Sequence, residues 1–263
     1  MTTTRHTVLL DGTGPVDLIE TGSPDGRPVL LLHGGAGPQS MEALVALLAD
    51  EPGVRVVAPI HPGFGGTPRP ETVSSVGDLA RLYAALLDQL DLRDVTLVGN
   101  SVGGWVAAEL ALLGSPRIGR LVLIDAVGID VPGHPVADFF NLTMDEVFDR
   151  SFHDPTAFRF DPAGLPPAAQ AVAAGNRAAL AAYAGGGMSD PGLRPRLGAL
   201  TLPVLVLWGE SDEVVDQDYG RAYAEAVPTA RFELLPRTGH LPQMETPELA
   251  LAALRTVLDP ADR

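Results

Sequence analysis

The sequence predicts an α/β protein built on a mostly parallel, doubly wound sheet. Short runs of Val, Leu and Ile bounded by Gly or Pro have the near-continuous hydrophobicity of strands covered on both faces, and they lie at 28–34, 54–60, 95–100, 121–126 and 203–210. Segments with helical spacing separate them, at 39–50, 75–90, 102–113 and 217–227. Such an alternation of strands and helices is typical of a doubly wound sheet.

The two ends of the chain add further elements. The opening stretch HTVLL-DGTG-PVDLIE predicts a hairpin through a Gly-containing turn, which would form an antiparallel edge of the sheet. ARFELLP (230–236) predicts the last strand, and 247–258 predicts a closing helix. The sheet would therefore be parallel except at its first edge.

One long segment interrupts the alternation. Residues 128–198 contain no convincing strand pattern and are far longer than an ordinary connection, whose median length is about 4–6 residues. We interpret them as a mostly helical cap over the strand ends, with 1–127 and 199–263 forming the core domain. Six of the eight phenylalanines fall in this segment, and periodicity does not tell whether they form the core of the cap or face a substrate.

Composition excludes several functions. The formal charge is −15, from 33 acidic and 18 basic residues, so phosphate backbones and anionic membranes would be repelled, and we expect no nucleic-acid or membrane partner. The chain contains no Cys and no Lys, which excludes thiolate nucleophiles, Schiff-base lysines and Walker-type phosphate lysines.

No apolar run approaches the ~18 residues of a membrane helix, and the start lacks the apolar core of a signal peptide. We expect a cytoplasmic protein with a small-molecule substrate, no cofactor and no metal; the oligomeric state is left open.

The stretch LVGNSVGGW (97–105) contains the candidate nucleophile, Ser101. A lone G-x-S-x-G is a weak signal, but this one begins where a predicted strand ends and a predicted helix begins. In that setting a serine is held in a strained turn with its hydroxyl exposed, and flanking glycines allow neighbouring backbone to approach. The alternative, a serine that only caps the helix, does not explain the paired glycines.

A serine hydroxyl needs a base and an orienting acid to become a nucleophile. His240, in the Gly-containing loop after the last predicted strand, is the best candidate base, and Asp212, in the loop after 203–210, is the best candidate acid. The chain order Ser101, Asp212, His240 is the order expected of this architecture. Asp125, at the end of the strand at 121–126, is the alternative acid. Glu210 and Asp216 are nearer in sequence to Asp212 but fit the loop less well.

The segment HGGAGP (33–38) follows a predicted strand and predicts part of an oxyanion hole. We expect one donor from the backbone N–H of Gly35 or Ala36 and another from that of Val102. A phosphate-binding loop is excluded because no G-K-[ST] follows. His33 is expected to hold the turn, and His61, in a loop near the same edge, is a candidate pocket residue whose default role is structural.

These residues resemble the α/β-hydrolase superfamily along nearly the whole chain. The segments that carry the resemblance are LLLHGGAGP, VVAPIHPGFGGTPRP, LVGNSVGGW, LVLIDAVG, LPVLVLWGESDEVV and LPRTGHLPQMETPE. The resemblance implies an eight-stranded, mostly parallel sheet of the α/β-hydrolase fold, with a helical cap inserted after the sixth strand. It also implies Ser101, Asp212 and His240 as nucleophile, acid and base.

The resemblance specifies the fold more closely than it specifies the reaction, because one fold supports many reactions. A serine at position 101 disfavours haloalkane dehalogenases and epoxide hydrolases, which use aspartate. Asn100-Ser101 followed by Gly-Gly is similar to carbon–carbon bond hydrolases of ring-fission diketones, but those usually have tryptophan where this chain has Leu241, and Arg177 is only a candidate for their cap arginine.

We therefore expect a carboxylesterase-like serine hydrolase that cleaves a small, largely apolar ester or related carbonyl compound through an acyl-serine intermediate. The alternatives are a carbon–carbon bond hydrolase and a ligand receptor on a hydrolase scaffold. The candidate substrate pocket consists of Asn100, His61, Phe139, Phe140 and Leu241.

Overall fold

The computed structural model describes residues 3–10 and 14–258, within which eight strands form one sheet. The strands are β1 (Thr4–Leu10), β2 (Gly14–Gly22), β3 (Arg27–Leu32), β4 (Val54–Pro59), β5 (Val95–Asn100), β6 (Ile118–Ile124), β7 (Val204–Gly209) and β8 (Ala230–Leu235). Their order across the sheet is β1-β2-β4-β3-β5-β6-β7-β8. β6 begins three residues before the predicted start, because Gly119 and Arg120 interrupt its apolar run without ending the strand.

The sheet is antiparallel only at its first edge. β1 pairs antiparallel with β2, and β2 pairs antiparallel with β4. Every pairing from β4 across to β8 is parallel. The prediction of an eight-stranded, mostly parallel sheet is confirmed, although residues 11–13, inside the predicted hairpin turn, lie outside the described residues. The loops after the parallel strands meet at one edge, where such sheets bind their ligands.

Helices cover both faces of the sheet. They are α1 (Glu42–Ala49), α2 (Val76–Gln89), α3 (Val102–Leu112), α4 (Met144–Ser151), α5 (Pro167–Ala184), α6 (Leu193–Arg196), α7 (Gln217–Glu225), α8 (Pro242–Glu245) and α9 (Pro247–Leu258). Alternate residues of β3 show the two layers: Leu30 and Leu32 pack in the cluster that includes α2 and α3, whereas Val29 and Leu31 pack in the cluster that includes α1 and α9. This period of two explains why the strand reads as continuously apolar.

Residues 128–198, called the insert below, join β6 to β7. They contain α4, α5 and α6 and two short 3-10 turns at Pro155–Ala157 and Pro162–Gly164. Thr143 and Glu146 form a reciprocal capping box that fixes the start of α4. Ala179, Leu180 and Tyr183 of α5 are buried in the same cluster as the sheet, so the insert packs directly on the core.

Among the helices of the described residues, none combines the length and the hydrophobicity that crossing a membrane demands.

Candidate active site

Ser101 lies on the tight turn between β5 and α3. Its backbone has φ 55° and ψ −122°, a left-handed conformation that is rare for any residue except glycine and costs of order 1–3 kcal/mol. The turn is held by the N–H of Ser101, which donates to the carbonyl of Ile124 at 2.9 Å, and by the N–H of Trp105, which donates to the carbonyl of Ser101 at 3.1 Å. The hydroxyl makes no capping hydrogen bond to α3, so the helix-cap interpretation of this serine is wrong.

The glycines beside Ser101 allow three backbone segments to meet. A Cβ on Gly99 would overlap the carbonyl oxygen of Gly103. A Cβ on Gly103 would overlap the carbonyl oxygens of Leu32 and His33, at the end of β3. The spacing of the motif therefore brings the loop after β3 directly against the turn that carries Ser101.

The structure brings Ser101, His240 and Asp212 into one hydrogen-bonded chain. Nε2 of His240 is 2.9 Å from Oγ of Ser101, and Nδ1 of His240 is 2.8 Å from Oδ2 of Asp212. Because a carboxylate only accepts, the proton of the neutral ring sits on Nδ1, and Nε2 is free to accept from the serine hydroxyl. All three residues are buried.

Asp212 is fixed by its own loop after β7. Its Oδ1 accepts the backbone N–H groups of Val214 at 2.8 Å and Val215 at 3.1 Å, which leaves Oδ2 for the histidine. The neighbouring acids have other partners. Glu210 accepts from the backbone of Arg237, and Asp216 caps α7 and pairs with His134. Among the described residues, neither forms a hydrogen bond or ion pair with His240.

The loop that carries His240 is anchored by backbone and amide contacts. The N–H of His240 donates to the carbonyl of Ser151 at the end of α4, at 2.8 Å. Nδ2 of Asn100 donates to the carbonyl of His240 at 3.0 Å, and Oδ1 of Asn100 accepts from Nε2 of Gln243 at 3.0 Å. Asn100 is fully buried with its amide taken up in this way, so its assignment to the substrate pocket is wrong: it positions the histidine loop.

The loop at 33–38 lies against Ser101. A Cβ on Gly34 would be 3.0 Å from Cβ of Ser101, and the turn closes through the N–H of Gly37, which donates to the carbonyl of Gly34 at 3.1 Å. Among the described residues, no protein acceptor pairs with the backbone N–H of Gly35, Ala36 or Val102. Val102 is the first residue of α3, where the N–H groups lack intrahelical partners and the helix dipole favours negative charge.

Two buried histidines, His33 and His61, stabilise the loop at 33–38 through hydrogen bonds. Nε2 of His33 accepts the N–H of His61 at 3.0 Å, and Nε2 of His61 lies 2.8 Å from the carbonyl of His33. Nδ1 of His33 lies 2.8 Å from the carbonyl of Gly34, and Nδ1 of His61 lies 2.5 Å from the hydroxyl of Tyr83. His61 has no exposed surface and both ring nitrogens are engaged, so its assignment to the substrate pocket is wrong and the structural default holds.

Burial keeps both of these histidines neutral. It lowers the pKa of His61 to about 4, and burial, together with the repulsion that a protonated His61 would exert, holds the pKa of His33 well below its usual range. Neutral rings suit the contacts, since each ring must donate from one nitrogen and accept at the other.

The other candidate pocket residues belong to the insert and its surroundings. Phe139 and Phe140 are half-buried against the main core, with their rings 5.9 Å apart in an edge-to-face arrangement. The guanidinium of Arg177 lies 5.5 Å from both ring centroids and donates to the carbonyl of Phe140 at 2.5 Å. Leu241 packs with Phe148 and Phe152 in a small separate cluster.

Asp125, the alternative acid, lies at the carboxyl end of β6 and is completely buried. Its Oδ1 accepts the N–H of Gly209 at 2.7 Å, and its hydrogen bonds within the described residues do not include His240. Burial and the charge of Asp212 raise the pKa of Asp125 well above its usual range. Asp212, not Asp125, is therefore the carboxyl group that contacts the histidine.

Sequence reasoning missed two contacts at this site. Gln243 holds Asn100, and Leu180 of the insert lies over the loop at 33–38, where its Cδ2 would be 2.8 Å from a Cβ on Gly35. Gln243 follows His240 by only three residues, so proximity in the chain is a signal for it. Leu180 has no such signal, because its contact joins segments far apart in the sequence.

Comparisons with known proteins identify the family of the chain. A family model described as the alpha/beta hydrolase family matches residues 29–254. The chain is 26% identical over 270 residues to a 2-hydroxy-6-oxononadienedioate/2-hydroxy-6-oxononatrienedioate hydrolase of Paraburkholderia xenovorans, covering 94% of this chain and 92% of that protein. It is 28% identical over 252 residues to a 2-hydroxymuconate semialdehyde hydrolase of Pseudomonas putida, covering 90% and 89%.

Two solved structures are similar over nearly their whole length. A thermophilic esterase from Thermogutta terrifontis has a TM-score of 0.76 and 29% identity, covering 97% of this chain and 98% of that one. A serine hydrolase from Cycloclasticus zankles has a TM-score of 0.80 and 20% identity, covering 99% and 100%. The second likeness shows the fold alone.

Proposed function

Since the chain belongs to the alpha/beta hydrolase family, we propose that it is a serine hydrolase that cleaves small, largely apolar esters through an acyl-serine intermediate. The observation that carries the proposal is the hydrogen-bonded chain from Oγ of Ser101 through His240 to Asp212. This arrangement activates a hydroxyl that would otherwise be a poor nucleophile.

In the acylation half of the reaction, Oγ of Ser101 attacks the ester carbonyl while Nε2 of His240 takes the hydroxyl proton. Asp212 holds the ring and stabilises the imidazolium that forms, without taking the proton itself. The negative charge that develops on the carbonyl oxygen is met by N–H of Val102 and N–H of Gly35 or Ala36. Each such donor contributes about 2.7–4 kcal/mol of transition-state stabilisation. His240 then protonates the leaving alcohol.

In the second half, water replaces the alcohol. His240 takes a proton from the water as it attacks the acyl carbonyl, and the same N–H groups bind the oxyanion again. Collapse of this intermediate returns the proton to Oγ of Ser101 and releases the carboxylic acid. All atoms and charges balance within the chain, water and the ester.

Several features of the described residues favour an uncharged substrate. Leu180 lies over the loop at 33–38, and the residue after His240 is Leu241. The amide of Asn100 is consumed by protein contacts, and Arg177 donates to the carbonyl of Phe140. The formal charge of −15 also disfavours anionic ligands. In this proposal the insert serves as a cap, with 1–127 and 199–263 as the core domain.

The second candidate is carbon–carbon bond hydrolysis, and the names of the curated relatives favour it. The compounds in the first of those names are dicarboxylates, and anionic substrates need cationic or amide partners in the pocket. Arg177 would have to leave the carbonyl of Phe140 to become such a partner. The same three residues, Ser101, Asp212 and His240, would carry either reaction.

The experiment compares hydrolysis of p-nitrophenyl esters from acetate to decanoate by wild type, Ser101→Ala and Ser74→Ala. Ser74 is exposed and forms hydrogen bonds to Asp78, so its variant is the matched control. We expect wild type and Ser74→Ala to be active and Ser101→Ala to be inactive, with a fluorophosphonate label on the peptide that contains Ser101.

The other outcomes separate the alternatives. Ester activity that survives in Ser101→Ala would overturn the proposed nucleophile. A wild type that turns over a vinylogous diketone acid but no simple ester would favour carbon–carbon hydrolysis. Absence of any turnover, together with thermal stabilisation by an added ester, would favour a ligand receptor on this scaffold.

A further inference from the structure

The proposed mechanism leaves one buried carboxyl group at the site without a role. Asp125 has no exposed surface, and a nitrogen of His240 and one oxygen each of Asp125 and Asp212 all lie within 4.8 Å of one another. The backbone of Asp125 has φ 46°, and its N–H donates to the carbonyl of Leu207 at 3.0 Å. The Asp125 side chain, at the carboxyl end of β6, therefore faces Asp212, in the loop after the neighbouring strand β7.

The two oxygens of Asp125 differ in their surroundings. Oδ1 accepts the N–H of Gly209 at 2.7 Å, whereas Oδ2 is buried and has no hydrogen-bond partner within the part of the chain that the structure describes. The Asp212 side chain is the group that interacts with this carboxyl. Two carboxylates facing each other would both be acceptors, so only a proton between them makes a hydrogen bond.

That proton belongs on Asp125 and not on Asp212. Asp212 accepts N–H groups from Val214, Val215 and His240, and three donors favour the ionised form. Asp125 accepts one N–H, and among the described residues it has no ion pair with an arginine. The ionisable groups that face it are Asp212 and His240. Two adjacent buried carboxylates resist joint ionisation.

We propose that Asp125 is a positioning residue: a carboxylic acid that keeps its proton at neutral pH and donates a hydrogen bond from Oδ2 to the carboxylate of Asp212. Its effect on rate rests on the proposed function, but its protonation does not. Burial and the charge of Asp212 raise the pKa of Asp125, in agreement with this assignment.

The donated hydrogen bond has two consequences for the site. It fixes the Asp212 carboxylate from a fourth direction, in addition to the three N–H donors. It also draws negative charge away from Oδ2 of Asp212, so that His240 is held without becoming too strong a base to return its proton. The carboxyl that sequence analysis weighed as a rival acid thus acts on Asp212 and not on the substrate.

The test combines infrared spectroscopy with the pH profile of kcat/KM for ester hydrolysis. At pH 7 we expect a carbonyl stretch of a protonated carboxylic acid in wild type that disappears in Asp125→Asn and persists in Asp88→Asn, a surface control paired with Arg117. Asparagine tolerates a left-handed backbone and keeps a neutral donor at this position. The acid limb of the kcat/KM profile should therefore stay within a few tenths of a pH unit in Asp125→Asn.

Asp125→Leu removes the donor while keeping the number of side-chain heavy atoms, and we expect it to lower kcat/KM about 10–100-fold and move the acid limb to higher pH, which Asp125→Asn rescues. Two outcomes would overturn the proposal: no carboxylic acid band at pH 7, or an acid limb that falls by about one pH unit or more in Asp125→Asn, the result of losing a negative charge. The infrared result depends neither on the folding of Asp125→Leu nor on Ser101 being the nucleophile. The experiment can therefore overturn the protonation of Asp125 without overturning the proposed hydrolase function, and the reverse.

Discussion

The backbone N–H of His61 donates to Nε2 of His33 at 3.0 Å, and the carbonyl of His33 lies 2.8 Å from Nε2 of His61. This reciprocal pair ties the loop after β4 to the loop after β3, which lies against Ser101. The contacts require a neutral His33, because a protonated ring would point a donor at the N–H of His61. Burial, which lowers the pKa of His61 to about 4, keeps the second ring neutral. The loop that holds the candidate oxyanion donors therefore depends on two uncharged buried histidines.

We predict that this pair makes folding stability depend on pH between about 4 and 6.5. The pKa of His61 is lowered to about 4 in the folded protein, so over this window the unfolded chain binds more protons than the folded one. The contribution of His61 to the free energy of unfolding is fully present above pH ~6.5. It decreases as pH falls, and about 3 kcal/mol of it is lost at pH 4. His33 acts in the same direction, since its pKa is also lowered.

Urea unfolding of wild type and His61→Gln at several pH values from 7 to 4.5 measures this effect. The difference between the two proteins isolates His61, which matters because Asp125, whose pKa is raised, contributes a slope of opposite sign. We expect the wild type to lose stability faster than His61→Gln as the pH falls. Parallel curves for the two proteins would contradict a neutral, buried His61.

The contrast between His240 and His61 shows how far sequence reasoning reaches. The Ser101 turn and the His240 and Asp212 loops are short and follow predicted strands, and parallel strands bring such loops to one edge. Their meeting could be foreseen from chain order. The roles of Asn100 and His61 could not, because a polar residue in a strand-end loop is equally compatible with pocket and support. Only the hydrogen-bond partners, Gln243 and Tyr83 among them, decide between the two.

The close approach at Gly103 predicts a severe cost for a single methyl group. In Gly103→Ala the Cβ would overlap the backbone carbonyl oxygens of Leu32, the last residue of β3, and of His33, and backbone cannot move aside as a flexible side chain does. We expect a loss of about 2–4 kcal/mol in unfolding free energy and a loss of ester hydrolysis. Gly198→Ala is the matched control, since its Cβ would meet nothing within 4 Å. Equal stability of the two variants in thermal or urea unfolding would refute this packing.

Removing the charge of Asp212 should impair catalysis without unfolding the protein. In Asp212→Asn the single amide oxygen cannot serve both the N–H groups of its own loop and Nδ1 of His240, and the ring loses the partner that fixes its tautomer. We expect kcat to fall about 10³–10⁴-fold. Glu210→Gln, two residues earlier in the same loop, should change kcat less than twofold. A loss of under tenfold in Asp212→Asn would mean that another carboxyl, with Asp125 the nearest candidate, orients the histidine.

The contacts of Arg177 predict a change in substrate affinity rather than in chemistry. Its guanidinium donates to the carbonyl of Phe140 and lies over the rings of Phe139 and Phe140, so Arg177→Met releases a turn of the insert that we assign to the substrate pocket. An exposed charged hydrogen bond and cation–π contacts together contribute about 1 kcal/mol, so KM for the preferred ester should rise about 3–10-fold with kcat within twofold. Arg194→Met, in α6 of the same insert, is the control, because Arg194 has no hydrogen bond to either phenylalanine. A fall in kcat at constant KM would instead mean that this turn affects the reacting residues Ser101 and His240. Unchanged kinetics would mean that Phe139 and Phe140 do not line the substrate pocket.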